Sequence, residues 1–405
     1  MSDTQKNKKP NVPNLRFPGF EGEWESSKLS IFLYENKERN RTGDFDKTDV
    51  LSVSGDCGIV NQIELLGRSF AGKSVTDYHV VRTGDIVYTK SPLKEYPYGI
   101  VKYNSGNDGI VSTLYAVYHH KDNVEGRFVE HYFSSPHRTN QYFKPIVRIG
   151  AKHDMKIGNE EVLNNIVVFP SLAEQQKISA FLDLIDKRIS VQNKVIEDCT
   201  TLEKAIQNQV FSQINAPHVP LSSISQRVSE RNSALESDNV LTISAREGLI
   251  SQLEFFNKTV ASENLSNYYL LRKGDFAYNK SYSSDYPWGA IKHLERYDTG
   301  VLSPLYFCFR PNKEIVDTRY LQFFFDTKLW HKHIADIAVE GARNHGLLNM
   351  TVGDFYTMPI LLPTMKEQKE IAEKLSAIRE KRVVEESIYR LFLQQKRYLH
   401  EKLFI

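Results

Sequence analysis

The first stretch whose residue types and spacing could do chemistry is Gly67–Ser74, GRSFAGKS, which fits the phosphate-cradling pattern G-x4-G-K-[ST]. That pattern works only between a strand and a helix, where helix N-terminal amides face the phosphates. Here the residues that follow, VTDYHVVRTGDIVY, read as a strand that meets a Gly-Asp turn within about a dozen residues. Asn257 to Asn264, the matching stretch further along, keeps none of the motif. The context favours a basic loop over a nucleotide site. Metal ligation has no better footing. His331 and His333 stand two apart on an expected helix and His119 and His120 are adjacent, so neither pair shares a helix face. No GxSxG, HExxH or EF-hand pattern occurs. The chain also has no Pro-Pro dipeptide, which excludes the (Asn/Asp)-Pro-Pro-aromatic motif of amino-methyltransferases acting on DNA. The expectation is a protein without catalytic, cofactor-binding or metal-binding residues of its own.

What remains is a set of polar, aromatic-interleaved loops. One holds Lys90, Ser91, Lys94 and Tyr96; another holds Asn279, Lys280, Ser281, Tyr282 and Tyr286. Two further segments surround Gly150 and follow Gly341: Arg148, Lys152, His153 and Lys156, with Lys144 just before them, and Arg343, Asn344 and His345. Lysine and arginine suit phosphates and guanine edges, and asparagine suits adenine, so these residues are the candidate DNA contacts. Lys90 and Lys280 both close a strand after a Gly-Asp turn, which suits a phosphate clamp common to both loops. The neighbours that differ, Pro92, Leu93 and Lys94 against Tyr282, Ser283 and Ser284, are the candidates for choosing bases. The glycines, and Pro97 and Pro287, read as turn formers.

The loops correspond because the chain is written twice. Tyr78–Lys102 aligns without gaps on Tyr268–Lys292, with eleven of 25 positions identical, where composition alone gives roughly one or two. VLSVSGDCGIV is echoed by VLTISAREGLI, GIVSTLY by GVLSPLY, and FPSLAEQQKI by LPTMKEQKEI, the offset drifting from 190 to 193. Each copy reads as short strands (VLSVS, DIVYT, IVSTLYAVYH; VLTIS, DFAYN, VLSPLYFCF), with helical segments near 127–143 and 318–338. Each copy then ends in one long helix. From Ser171, the residues Ile178, Leu182, Ile185, Ile189, Ile196, Cys199, Ile206 and Val210 recur at threes, fours and sevens, an apolar seam on about forty residues or roughly 60 Å. Ile371, Leu375, Ile378, Tyr389, Phe392, Leu399 and Leu403 form the seam of the second. Ser171 with Glu174 and Thr364 with Glu367 are capping-box starts. The expected fold is α+β: a tandem duplication of two mixed α/β domains separated by a pair of long antiparallel coiled-coil helices, with pseudo-two-fold symmetry. The expected boundaries are a flexible tail 1–13, a domain 14–170, a helix 171–213, a domain 214–363 and a helix 364–405.

Composition sets the class. Fifty-two Lys+Arg nearly balance 50 Asp+Glu, so any surface for a polyanion is local. Cys57, Cys199 and Cys308 form no CxxC or disulfide framework, which fits a reducing compartment. No apolar run approaches 18 residues and MSDTQKNKKP is a polar tail, so a soluble cytoplasmic protein without membrane contact is expected.

In combination these features resemble the specificity subunit of type I restriction–modification systems. The resemblance spans nearly the whole chain and rests on the two globules, the FPSLAEQ and LPTMKEQ helix starts, GDIVYTKS and GDFAYNKS, and the YPYG and YPWG turns. It implies a non-catalytic subunit whose two target-recognition domains each read one half of a split, asymmetric site on double-stranded DNA. The paired helices would act as a ruler, holding the domains about one turn of B-DNA apart, roughly 34–36 Å. They would also dock two modification subunits, which bind S-adenosylmethionine and methylate adenine. Restriction subunits, translocases using ATP and Mg, would join that core. The rival readings are a coiled-coil scaffold whose globules bind protein and, from GRSFAGKS, a P-loop nucleotide-binding protein.

Overall fold

A computed structural model describes residues 10–72, 74–149, 155–244, 247–258, 264–282, 286–338 and 346–405. The chain divides into two compact units, Met1–Asn193 with Ser387–Ile405, and Lys194–Glu386. Each unit therefore combines one globule with a stretch of both long helices.

In the first unit four antiparallel strands form the central sheet, in the order Leu33–Glu35, Tyr115–His120, Ile86–Thr89, Val101–Tyr103. Ile86–Thr89 is buried on both faces, and its side chains alternate as strand geometry requires. Ile86 and Tyr88 join the core beneath the helices, while Val87 packs the other way, with Leu51, Ile59, Val81, Val111 and Val117. The hairpin Leu51–Ser54/Gly58–Asn61 and the pair His79–Val81/Gly109–Val111 supply that second layer. Two expected runs are broken. IVSTLYAVYH divides between the pair strand Gly109–Val111 and the central strand Tyr115–His120. The segment 127–143 is two helices, Gly126–Phe133 and Pro136–Phe143, because Pro136 cannot continue a helix but starts one well at its first position.

The second unit repeats the order. Its sheet runs Ser225–Arg227, Phe307–Pro311, Phe276–Asn279, Ala290–His293. The hairpin Leu241–Ser244/Gly248–Ser251 and the pair Tyr269–Arg272/Thr299–Leu302 match their counterparts. The expected helix 318–338 is again two, Thr318–Phe325 and His331–Ile337.

The long helices are Leu172–Gln213 and Met365–Lys402. Within the first unit they run antiparallel: Asp186 pairs with Lys396 at 2.6 Å, and Arg188 lies over the Phe392 ring at 4.6 Å. Ile178, Leu182 and Ile185 are buried there, as are Leu399, Leu403 and Phe404, which fall in the core of the first globule. Within the second unit the seam is more polar. Glu203 is buried and accepts from Arg379 at 2.9 Å and Arg382 at 2.8 Å, while Phe211, Ala372 and Leu375 enter the core of the second globule.

The two helix starts differ. Thr364 and Glu367 complete a capping box, with Glu367 N donating to Thr364 Oγ1 and Thr364 N to Glu367 Oε2. Glu174 N donates to Ser171 Oγ, but the Glu174 carboxylate takes a two-pronged bond from Arg16 at 2.7 and 2.8 Å. The glutamine that follows does the same work in both. Gln175 Nε2 donates to Pro170 O and its Oε1 accepts from Glu125 N; Gln368 Nε2 donates to Pro363 O and its Oε1 accepts from Asp317 N. Both glutamines are 1% exposed. Each ties the first turn of a long helix to the backbone at the start of a globule helix.

Asp183, on the first helix, accepts from Arg127 at 2.6 Å and lies 2.9 Å from His131 Nε2. Partial burial pushes its carboxyl up, but the His131 and Arg127 hydrogen bonds outweigh that and hold it down, at about 2. A carboxylate held below its unfolded value of roughly 3.9 stabilises the fold fully above that pH. The contribution is lost as pH falls to about 2. Asp183→Asn should therefore flatten acid unfolding between about pH 4 and pH 2, read by circular dichroism, by about one proton's worth of slope. Among the described residues no helix is long and apolar enough to cross a membrane.

Candidate nucleic-acid interface

The strand that carries each candidate lysine is anchored by the tyrosine two residues before it. Tyr88 stacks on Phe143, centroids 4.4 Å apart, and its hydroxyl donates to Tyr98 O at 2.6 Å. Tyr278 stacks on Phe355 at 4.9 Å and donates to Trp288 O at 2.9 Å. Each hydroxyl thus clamps the return of its loop just before the glycine of YPYG or YPWG. That glycine has no substitute. Gly99 has φ +90° and an added Cβ would fall 1.8 Å from Thr89 O; Gly289 has φ +77° and the matching distance to Asn279 O is 2.1 Å. The loops turn back because the chain passes flush against its own strand.

Within each globule the first of the two segments singled out in the sequence meets residues just beyond the second. In the first, Lys90 Nζ reaches Ile157 O at 2.9 Å and Asn159 Oδ1 at 2.6 Å, joining the loop after Thr89 to the segment after residue 154. Ser91 and Lys94 are exposed, and Tyr96 donates to Ser134 O at 2.5 Å. In the second, Leu348 N donates to Lys280 O, Tyr282 N to Gly346 O, and Ser281 bridges Leu347. Ser281 N donates to Asn279 Oδ1 at 2.9 Å, so the Asn279 amide oxygen shapes the turn. Tyr282 and Tyr286 are exposed.

Arg148 and Lys156 face each other across the short antiparallel pair Arg148–Ile149/Met155–Lys156. Both are exposed, and among the described residues no carboxylate pairs with either. Like charges directly opposite on a ladder are destabilising, so this pair suits an anion better than it suits the fold. Lys152, His153, Arg343, Asn344 and His345 lie outside the described residues, as do Ser283 and Ser284.

The two clamp lysines differ from the expected pair of free ammonium groups. Burial pushes Lys90 below the ordinary lysine range, with Glu35 and Glu161 opposing at a distance. Burial also lowers Lys280, whose ammonium lies 4.7 Å from the centroid of the Phe307 ring. Sequence reasoning missed Asn159, Gln175 and Gln368. The glutamines had a visible signal, the same residue at the same place in both helix starts, but it read only as a helix boundary.

The other candidates take structural places. Gly67 caps the C-terminus of helix Gln62–Leu66 in the left-handed conformation, so GRSFAGKS leaves a helix, and among its described residues none opens another. The Gly-Asp turns hold buried carboxylates: Asp85 lies 2.5 Å from His119 Nδ1, and Asp275 takes both prongs of Arg310 at 2.7 Å. His331 packs edge-on against Trp330. Among the described residues, His131, Asp183 and Asp186 are close enough to share an ion, but Arg127 and Lys396 already supply positive charge there.

No protein-family model and no curated protein matches the sequence. Solved structures do match. The chain is similar to one in a structure of a type I R-M system, described for its complex assembly and conformational transition. That match has 14% identity, 97% of this chain and 99% of that one covered, and a TM-score of 0.51. It is also similar to the type I restriction-modification system S subunit from M. genitalium, with 13% identity, 97% and 99% coverage and a TM-score of 0.55. The protein has the fold of a type I specificity subunit, duplicated globules and long helices included.

Proposed function

We propose that this chain is the sequence-reading subunit of a type I restriction–modification assembly. Its globules recognise the two halves of a bipartite target on duplex DNA, and it has no catalytic role of its own. The observation that carries this reading is the end-to-end likeness to an S subunit, 97% of one chain against 99% of the other, in a protein whose two globules repeat one loop architecture. The exposed Ser91, Lys94, Arg148 and Lys156 in the first globule, and Ser281, Tyr282 and Tyr286 in the second, are its DNA-facing residues. Lys152, His153, Arg343, Asn344 and His345 extend the same two segments, and Asn279 and Lys280 sit at the root of the second loop.

Two modification subunits dock on the long helices in this reading. Its support is apolar side chains open to solvent on the helices: Leu184, Val191 and Leu202 on one, and Val384, Leu391 and Tyr398 on the other, are each more than half exposed. S-adenosylmethionine, ATP and Mg belong to the modification and restriction partners, and the complex works in the cytoplasm.

Mapping adenine methylation by single-molecule sequencing, in cells carrying this chain and its modification partner, tests the reading. The expected result is one split motif with two different halves. Exchanging residues 218–363 for the equivalent domain of a related subunit should change one half only, and a change in both would refute separate readout. Inserting four residues into each long helix, after Asn193 and after Glu386, adds about 6 Å. The spacer should then lengthen by about two base pairs with both halves unchanged. An unaltered spacer would refute the ruler.

A further inference from the structure

We propose that Lys90 is a positioning residue: its ammonium holds the segment 155–159 against the central sheet and so presents the Arg148–Lys156 pair to the DNA backbone. This rests on the reading of that face as the DNA-binding one.

The geometry runs through Asn159. Its side-chain oxygen accepts from Lys90 Nζ at 2.6 Å, its amide donates to Glu35 Oε1 at 2.7 Å, and its carbonyl accepts from Tyr118 OH at 2.9 Å. Lys90 directly follows the strand Ile86–Thr89, Tyr118 lies on Tyr115–His120 and Glu35 on Leu33–Glu35, so two strands and the end of a third grip one asparagine. The second Lys90 hydrogen bond, to Ile157 O at 2.9 Å, fixes the backbone one residue beyond Lys156. Met155 and Ile157 are buried and Lys156 is exposed, so holding Ile157 sets which face Lys156 takes. Arg148 stands opposite it.

Neither oxygen that Lys90 binds is a carboxylate, so the half-buried charge has only neutral direct partners. An ammonium placed for stability alone would be better served by a carboxylate partner. The second globule secures the same junction by other means. There the backbone does it, through Leu348 N to Lys280 O, Tyr282 N to Gly346 O and the Ser281–Leu347 bridge, and the Lys280 ammonium goes to Phe307. In both globules the strand end and the later segment are tied; among the described residues a lysine side chain ties them in the first.

The test uses the full chain assembled with its modification partner and a duplex carrying the mapped target, with affinity measured across a salt series. Lys90→Gln keeps a donor for Ile157 O without the charge, and Lys90→Met keeps neither. A positioning role predicts at least a tenfold loss and a reduced salt slope for Lys90→Met, which frees the Arg148–Lys156 pair, and a smaller loss at the parent's slope for Lys90→Gln, which removes only the charge. Arg148→Ala and Lys156→Ala should each reduce the slope by about one. Hydrogen exchange at 155–159 should quicken in Lys90→Met while strand Tyr115–His120 stays protected. A slope reduced by about one in Lys90→Gln would make Lys90 a direct phosphate contact and overturn the proposal. So would unchanged exchange at 155–159 in Lys90→Met. If the parent complex shows no sequence-dependent, salt-steep binding, the DNA reading itself fails, and the exchange result still judges the tether.

Discussion

Phe404→Ala unfolds the first unit well before the second. Phe404 is the penultimate residue and 2% exposed. Its ring meets Phe128 at 5.5 Å, Trp24 at 6.3 Å and Tyr132 at 6.2 Å, stacks on His400 at 5.8 Å, and carries the Arg138 guanidinium 4.5 Å above it. Removing a buried ring of this kind costs about 3–5 kcal/mol, since the surrounding rings cannot close the cavity. For a unit of this size that is roughly 10 °C or more of melting temperature. Calorimetry should show the transition of the first unit moving down while that of the second holds. The matching change in the other direction is Phe211→Ala, whose ring packs on Tyr320 at 5.6 Å and Phe324 at 6.0 Å, and it should weaken the second unit instead. A Phe404→Ala protein that melts like the parent would remove the C-terminus from the core of the first globule.

Gly99→Ala has the second large effect, and it falls on recognition. The new methyl group would sit 1.8 Å from Thr89 O at a backbone φ of +90°, so the strand and the loop cannot both keep their places. Left-handed strain alone costs on the order of 1–3 kcal/mol, and the backbone collision adds to it. The loop Ser91–Tyr98 must shift, taking with it the Tyr88–Tyr98 and Tyr96–Ser134 hydrogen bonds. Under the proposed function, methylation at one half-site should fall by at least tenfold, with the other half of the motif still required. Equal activity of Gly99→Ala and the parent at that half-site would show that the turn does not shape the readout.

What the sequence made legible follows from which signals are local. The duplication, the long helices and their starts are written in neighbouring residues, and the seams placed Ile178, Leu182, Leu375 and Leu399 where they are buried. Pro136 marked a helix start that the surrounding periodicity concealed, so two helices read as one. Lys90 looked like a free clamp because its acceptors, Ile157 and Asn159, lie almost seventy residues downstream. No periodicity or turn propensity predicts a hydrogen bond made across that distance; only the packing of the segment on the sheet creates it. The divergence between Lys90 and Lys280 was hidden for the same reason, since identical local sequence leads to different partners. The residues around Gly150 and Gly341 remained within reach of composition alone, as basic segments in matching places.

The buried glutamines at the helix starts carry an evolutionary consequence. Among the described residues, Gln175 and Gln368 hydrogen-bond to main-chain atoms alone: Pro170 O and Glu125 N in one case, and Pro363 O, Ile315 O and Asp317 N in the other. A joint made with peptide groups is indifferent to the side chains on the globule it holds. Recombination can therefore deliver a globule of quite different sequence to the same helix, provided its backbone offers one carbonyl and one amide in these places. The loops of a globule are then free to be rewritten at a single crossover without any change to these two glutamine joints.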